Sequence, residues 1–320
     1  MDINVWHDKF IKVLSEKYPK RSQLVQALKD LLRIEREAVY RRLRNEVVFS
    51  TREIIEISIA WNISIDRMIG VNSGPIPFYM RPVDYTDPSE QDLNFLKYVI
   101  QSINSLKDFT DTEFMDVCNK LPRQFLAGFG NLNKFYLFKW IYQQSIGKND
   151  VTFSNVVISE AQLRLTSDYY QAIKNVPQSN FIFDYMLFDY LTNDIRYFHA
   201  IGLVSDEEKD AIKNELYKLL DYLSIVAKNG CYPETQNKVN LYISRLNIDT
   251  NYSYTYTNKT KICFVHVFDK YEIHTFDPET VDSFISWMRL RKRAAFQITE
   301  VDKISSTEYF SKQRQLIESL

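Results

Sequence analysis

The stretch IEREAVYRRLRNEVVFS, residues 34–50, sets four arginines among three glutamates on what its spacing makes a helix. Val39 and Leu43 lie four residues apart, so they share a face and turn inward with Leu28, Leu31 and Ile34. That leaves Arg36, Glu37, Tyr40, Arg41 and Arg44 facing outward. Asn45 ends the helix, because Asn tolerates the left-handed conformation that such a stop needs. VVFS then carries the chain to Ser50, which with Glu53 spells the capping box of a following helix, TREIIEISIAWN.

Upstream, Ser22 reads as the cap of QLVQALKDLL, with Leu24, Leu28 and Leu31 on one face. Before it, VWHDKFIKVLSEKY places Trp6, Phe10, Val13 and Leu14 at helical spacing, and downstream Ser64 reads as the cap of a short IDRMI helix. Residues 6–69 therefore read as five helices, in the order helix 22–32, a tight turn at RIE, helix 36–44, and a capped fourth helix from 51. A DNA-reading helix-turn-helix has this order: the first helix crosses the backbone, and the N-terminal residues of the second point into the major groove. Four arginines among glutamates also describe a plain solvated helix face; the ordered helices on either side favour DNA.

The text LKDLLRIEREAVYRRLRNEVVFSTREIIEISIAWNISIDRMI resembles the second to fifth helices of the phage-repressor/Cro-like (XRE-type) helix-turn-helix family, over about a fifth of the chain. It departs from that pattern at Arg33, where the turn glycine is usual, at Lys29, where a small residue is usual, and at Asn45, where a glycine is usual. The resemblance implies transcriptional regulation, with Arg36, Glu37, Tyr40 and Arg41 reading bases. Arg36 or Arg41 would pair with guanine, Glu37 would accept from a cytosine amine, and Tyr40 would touch a thymine methyl or a phosphate. Ser22, Arg33, Arg42 and Arg44 are placed for phosphates. Residues 1–70 hold thirteen Lys and Arg against ten Asp and Glu, so one copy binds weakly, and a homodimer on a two-fold operator is expected. The alternative is an interaction module that does not bind DNA, its basic helix gripping an acidic protein partner.

The whole chain, 320 residues with a net charge of −1, is long enough for two or three domains and has no global attraction to nucleic acid or to an anionic membrane. Three scattered cysteines without CxxC spacing suggest reduced thiols and a cytoplasmic address. The charged N-terminus does not read as a signal peptide, and no stretch approaches eighteen uninterrupted apolar residues. His7, His199, His266 and His274 are dispersed, without a cluster at metal-ligand spacing. GFGNLN at 128–133 has Asn133 where a dinucleotide fingerprint needs glycine. No enzyme activity and no cofactor are expected.

Residues 71–89, rich in proline, read as a linker between the helix-turn-helix domain of residues 1–70 and a helical dimerisation and sensing region of residues 90–230. TEFMDVCNKL and FIFDYMLFDYLTNDIRYFHAIG are included among its helices. Phe181, Phe183, Tyr185, Phe188, Tyr190, Tyr197 and Phe198 suit a core or dimer interface; their alternative is a cavity for a small-molecule effector near Phe181–Phe198. Asp184, Asp189 and Asp194 read as solvated or as partners of a helix N-terminal dipole, and MRLRKR at 288–293 reads as a solvated helix end ahead of a second DNA contact or a partner surface. Residues 231–320 carry four short β-rich segments and two further helices, a small α+β region. The expected fold is mainly α, a five-helix lambda-repressor-like domain followed by a large helical region that ends in a small antiparallel sheet with flanking helices (α+β). This overall layout resembles that of two-part bacterial regulators.

Overall fold

The computed structural model describes residues 3–320 apart from 19, 62, 64, 66–75, 86, 110, 127, 145–150, 269 and 300–302. The chain forms two compact units, Met1–Pro77 and Phe78–Leu320.

The first unit holds α1 (Ile3–Lys17), α2 (Arg21–Leu32), α3 (Arg36–Leu43) and α4 (Thr51–Trp61). Phe10, Leu14, Leu24, Val25, Leu28, Val39, Leu43, Phe49 and Ile57 form its core, with Leu31 and Ile34 packed at the edge. Helix α2 starts two residues earlier than the Ser22 cap implies. Lys20 takes the extended cap conformation, no side chain caps the helix, and Ser22 lies inside the first turn. Ser50 and Glu53 do form their reciprocal box: Glu53 accepts from the Ser50 N–H at 2.8 Å, and Ser50 Oγ accepts from the Glu53 N–H at 3.3 Å. The Ser64 cap and most of IDRMI lie outside the described residues.

The second unit is organised by an eight-stranded mixed sheet. Its strands are β1 (Tyr79–Met80), β2 (Glu113–Cys118), β3 (Gln178–Asp184), β4 (Lys238–Ser244), β5 (Tyr252–Tyr256), β6 (Lys261–Val267), β7 (Tyr271–Thr275) and β8 (Ala295–Gln297). The spatial order is β1-β7-β6-β5-β2-β3-β4-β8. The central trio β2, β3 and β4 is parallel, and antiparallel pairs flank it on both sides.

The expected small antiparallel sheet is thus corrected: two of the three central strands come from segments that read as helix. TEFMDVCNKL supplies β2, and FIFD supplies most of β3 before Leu187–Ala200 turns helical. The cause is burial on both faces, which fills a strand with apolar residues and erases the alternation that marks a half-exposed one. Residues 79–80, within the stretch read as linker, form β1 against β7. Strands from 90–230 and from 231–320 share this one sheet.

Helices α5 (Glu90–Asn104), α6 (Gly130–Gln144), α7 (Glu160–Lys174), α8 (Leu187–Ala200), α9 (Asp206–Asn229), α10 (Pro278–Arg291) and α11 (Lys303–Glu318) complete the unit. One sheet face, with Cys118, Phe181, Phe183, Val239, Leu241 and Ile243, shares a core with α6, α8 and α9. The opposite face, with Met115, Val117, Ile182 and Tyr254, packs on Val281, Ile285 and Met288 of α10. Ser205 with Glu208, spaced S-x-x-E in the sequence, forms a capping box at the start of α9, and Asp277 caps α10 ahead of Pro278 in its first turn.

The aromatic run divides between two fates. Phe181, Phe183, Phe188 and Phe198 are buried in core, with Phe125–Phe181 and Phe138–Phe198 ring centroids 4.9 and 4.8 Å apart. Tyr185, Tyr190 and Tyr197 are exposed. The phenylalanines pack against one another and fill the core, the first of the two readings of this run.

Three of the four cations of MRLRKR are used internally, and Arg293 is exposed. Arg289 pairs with Glu113 at 2.6 Å, Arg291 donates to the Asn247 carbonyl at 3.2 Å, and Lys292 donates to Asn180 at 3.0 Å. Asp184 is buried, not solvated, and accepts from the Ile248 N–H and, at the start of α8, from the Met186 N–H, both at 2.7 Å. Asp194 pairs with Lys139. No described helix is long and apolar enough to cross a membrane.

Candidate nucleic-acid interface

Two left-handed residues set where α3 begins and ends. Arg33 ends α2 at φ 52, ψ 43, so it adopts the conformation for which a glycine is the easier choice. Asn45, two residues beyond α3, has φ 61. A non-glycine residue there costs about 1 kcal/mol, and at Asn45 side-chain hydrogen bonds offset the cost. Its Oδ1 lies 2.6 Å from His7 Nδ1, and its Nδ2 donates to Asp8 at 2.8 Å. His7 Nε2 accepts from the Phe49 N–H at 3.0 Å, so Nδ1 carries the ring proton and donates to Asn45. One buried histidine therefore ties α1 to the end of α3 and to the segment that leads into α4.

Arg42 makes the second tie. Its guanidinium grips Glu53 with two bonds, at 3.1 and 2.7 Å, and donates a third to the Ala38 carbonyl at 3.0 Å. Both side chains are mostly covered, at 17% and 13% exposure. Burial pushes the Glu53 carboxyl up, but Arg42 and Ser50 together outweigh it and hold the group below its ordinary value.

With Val39 and Leu43 anchored inward, the other face of α3 is open. Arg36, Glu37, Arg41 and Arg44 are exposed, and Tyr40 is half-buried. Arg44 bridges Glu37 at 2.8 Å and Glu46 at 2.9 Å, while Arg41 lies 3.7 Å from Glu46. Arg36 lies 6.0 Å from the Tyr40 ring centre and makes no ion pair among the described residues. The structure thus gathers Arg36, Glu37, Tyr40, Arg41 and Arg44 on one helix and turns Arg42 into the domain. Ser22 and Arg33 are exposed at opposite ends of α2, roughly 16 Å apart at the helical rise.

No protein-family model, curated protein or solved structure matches the chain. The geometry alone therefore carries the functional reading. Sequence reasoning missed the partners of His7 and the inward role of Arg42. Arg42 carries a readable signal: it falls one position before the inward Leu43, at the boundary of the apolar face. The partner of His7 lies 38 residues away, and no local pattern announces it.

Proposed function

We propose that residues 1–77 bind double-stranded DNA with α3 in the major groove, and that the protein acts as a dimeric transcription regulator. The observation that carries this reading is α3 itself. It is a short helix anchored through Val39 and Leu43, delimited by left-handed Arg33 and Asn45, and open on its guanidinium face. Arg36, Glu37, Tyr40 and Arg41 are the base-reading group, and Ser22, Arg33 and Arg44 touch phosphates. The N-terminus of α2, which has no side-chain cap, presents backbone N–H groups suited to a phosphate. Arg42, spent on Glu53, serves by holding the reading helix in place.

The internal ion pairs are a small obstacle. Exposed pairs such as Arg44–Glu37 are worth about 0–1 kcal/mol, so exchange for a phosphate is cheap. The interleaved acids do lower the net attraction, which is why two copies on one operator are required.

A mobility-shift assay against random duplex DNA, repeated across a salt series, tests the reading. The expected outcome is a steep salt slope, near −0.9 per phosphate neutralised. The double substitution Arg36→Ala with Arg41→Ala is expected to erase sequence preference, each lost base contact costing about 1–3 kcal/mol of discrimination. Selectivity unchanged in that variant would remove these residues from the reading edge. A shallow slope with retention of acidic proteins would instead favour the protein-partner reading, and equilibrium sedimentation showing monomers with and without DNA would end the dimer.

A further inference from the structure

In the second unit, the parallel strands give way to antiparallel ones between β2 and β5. Open α/β sheets bind their ligands outside the carboxyl ends of their parallel strands, and the end of β2 is one such edge. β6 runs parallel to β2, so the carboxyl end of β2 and the β6–β7 turn lie at the same end of the sheet. The strand register puts Asp116, Ser253, Phe264, His266 and Glu272 on one face. β5 reads Tyr-Ser-Tyr-Thr-Tyr, and its three rings belong to the opposite face, so only the small Ser253 and Thr255 stand between Asp116 and β6.

Around that space the polar groups are incompletely matched. Arg123, from the loop after β2, lies 3.6 Å from Glu272 Oε1 and donates to the Lys270 carbonyl at 3.1 Å. His266 Nε2 lies 3.2 Å from the same Glu272 oxygen. The Lys270 ammonium rests 4.2 Å from the Tyr85 ring centre. Asp116 is 6% exposed, and its Oδ1 has no hydrogen-bond partner among the described residues. The recess is nevertheless open, since the Arg123 and Glu272 side chains keep 32% and 27% of their surface in solvent.

We propose that this recess binds a small oxyanion, a carboxylate or phosphate, held by Arg123 and Lys270 with Asp116 donating to one of its oxygens. Charge balance supports it. Burial, reinforced by Glu272 and only partly opposed by Arg123, pushes Asp116 up to about 8, so at neutral pH it is mainly a neutral acid able to donate. Burial and the neighbouring Arg123 lower Lys270 to about 7, and burial lowers His266 to about 4 despite Glu272. Glu272, held ionised against burial by His266 and Arg123, is then the carboxylate of this group, facing the Arg123 guanidinium. An arriving anion supplies the missing negative charge and pairs with donors that are already in place. This site stands independently of whether the first unit binds DNA.

Isothermal titration of the full chain with inorganic phosphate, citrate and benzoate tests the proposal and separates a phosphate from a carboxylate ligand. At least one of the three is expected to bind at one site with sub-millimolar affinity and to raise the melting temperature. Arg123→Met is expected to weaken that binding about 10- to 100-fold, and Lys270→Met about tenfold, as lost charge-assisted bonds do. Arg123 also braces Glu272, so circular dichroism must show each variant folded; Lys270→Met, which removes no internal ion pair among the described residues, decides the matter if Arg123→Met unfolds. Failure of all three anions to bind, or unchanged affinity in a folded Lys270→Met variant, would overturn the proposal.

Discussion

Two polar clusters, one in each unit, are built from the same kinds of side chain and end in opposite states. In the first unit, His7, Asn45, Arg42 and Glu53 meet one another and the backbone with good geometry. In the second, Arg123 and His266 share a single Glu272 oxygen, Lys270 leans on a ring, and Asp116 keeps an oxygen with no partner among the described residues. Polar groups that satisfy each other hold a fold together, because a buried group left unmatched costs about 1–3 kcal/mol. A cluster that carries such a cost beside open solvent is a place for something else to bind. The same residue types are thus structural in one unit and available in the other, and satisfaction is what separates them.

The largest expected effect comes from Asp116. Its carboxyl rises from 3.8 to about 8 on folding, so between those values the folded chain holds a proton that the unfolded chain has released. Stability therefore falls as pH rises through this window and levels off above it, by up to about 1.4 kcal/mol per pH unit. His266 and Lys270 shift downward, which gives slopes of the opposite sign over their own windows, so the wild-type curve alone mixes the three. Subtracting wild type from Asp116→Asn isolates Asp116. Urea midpoints are expected to show a stability advantage for the variant that widens from about pH 4 to about pH 8. A flat difference would mean that Asp116 is matched after all, and the contrast between the clusters would collapse.

Glu53→Ala strikes the matched cluster. It strips Arg42 of its carboxylate and α4 of its capping box, for an expected loss of about 3 kcal/mol in denaturant unfolding. A loss under half that would show the clamp to be ornamental.

The smallest effect sharpens the reading of Asn45. Asn45→Ala loses the bonds to His7 and Asp8 and must also hold a left-handed backbone, for about 2 kcal/mol in total. Asn45→Gly loses only the bonds and costs about 1 kcal/mol. Equal costs in thermal melts would show that the backbone conformation contributes nothing.

How much was legible depended on how far apart the cooperating residues lie. The buried pair Val39 and Leu43, the Ser50–Glu53 and Ser205–Glu208 boxes and the Asp277–Pro278 start act over three or four positions, and each was readable. The central sheet was not. β2 and β3 are apolar on both faces, and a strand buried that way carries no period to distinguish it from a buried helix.

The sequence by itself determined the four described helices of the first unit, the exposed arginines of α3 and the stop at Asn45, because helical spacing is local. Only the tertiary structure decided that Arg42 faces Glu53, that His7 binds Asn45 and Phe49, and that Asp116, Arg123 and Glu272 gather around one recess. Those last three lie on separate segments spanning more than 150 positions. Sheet pairing sets their proximity, and pairing is a long-range choice that no window of the chain contains.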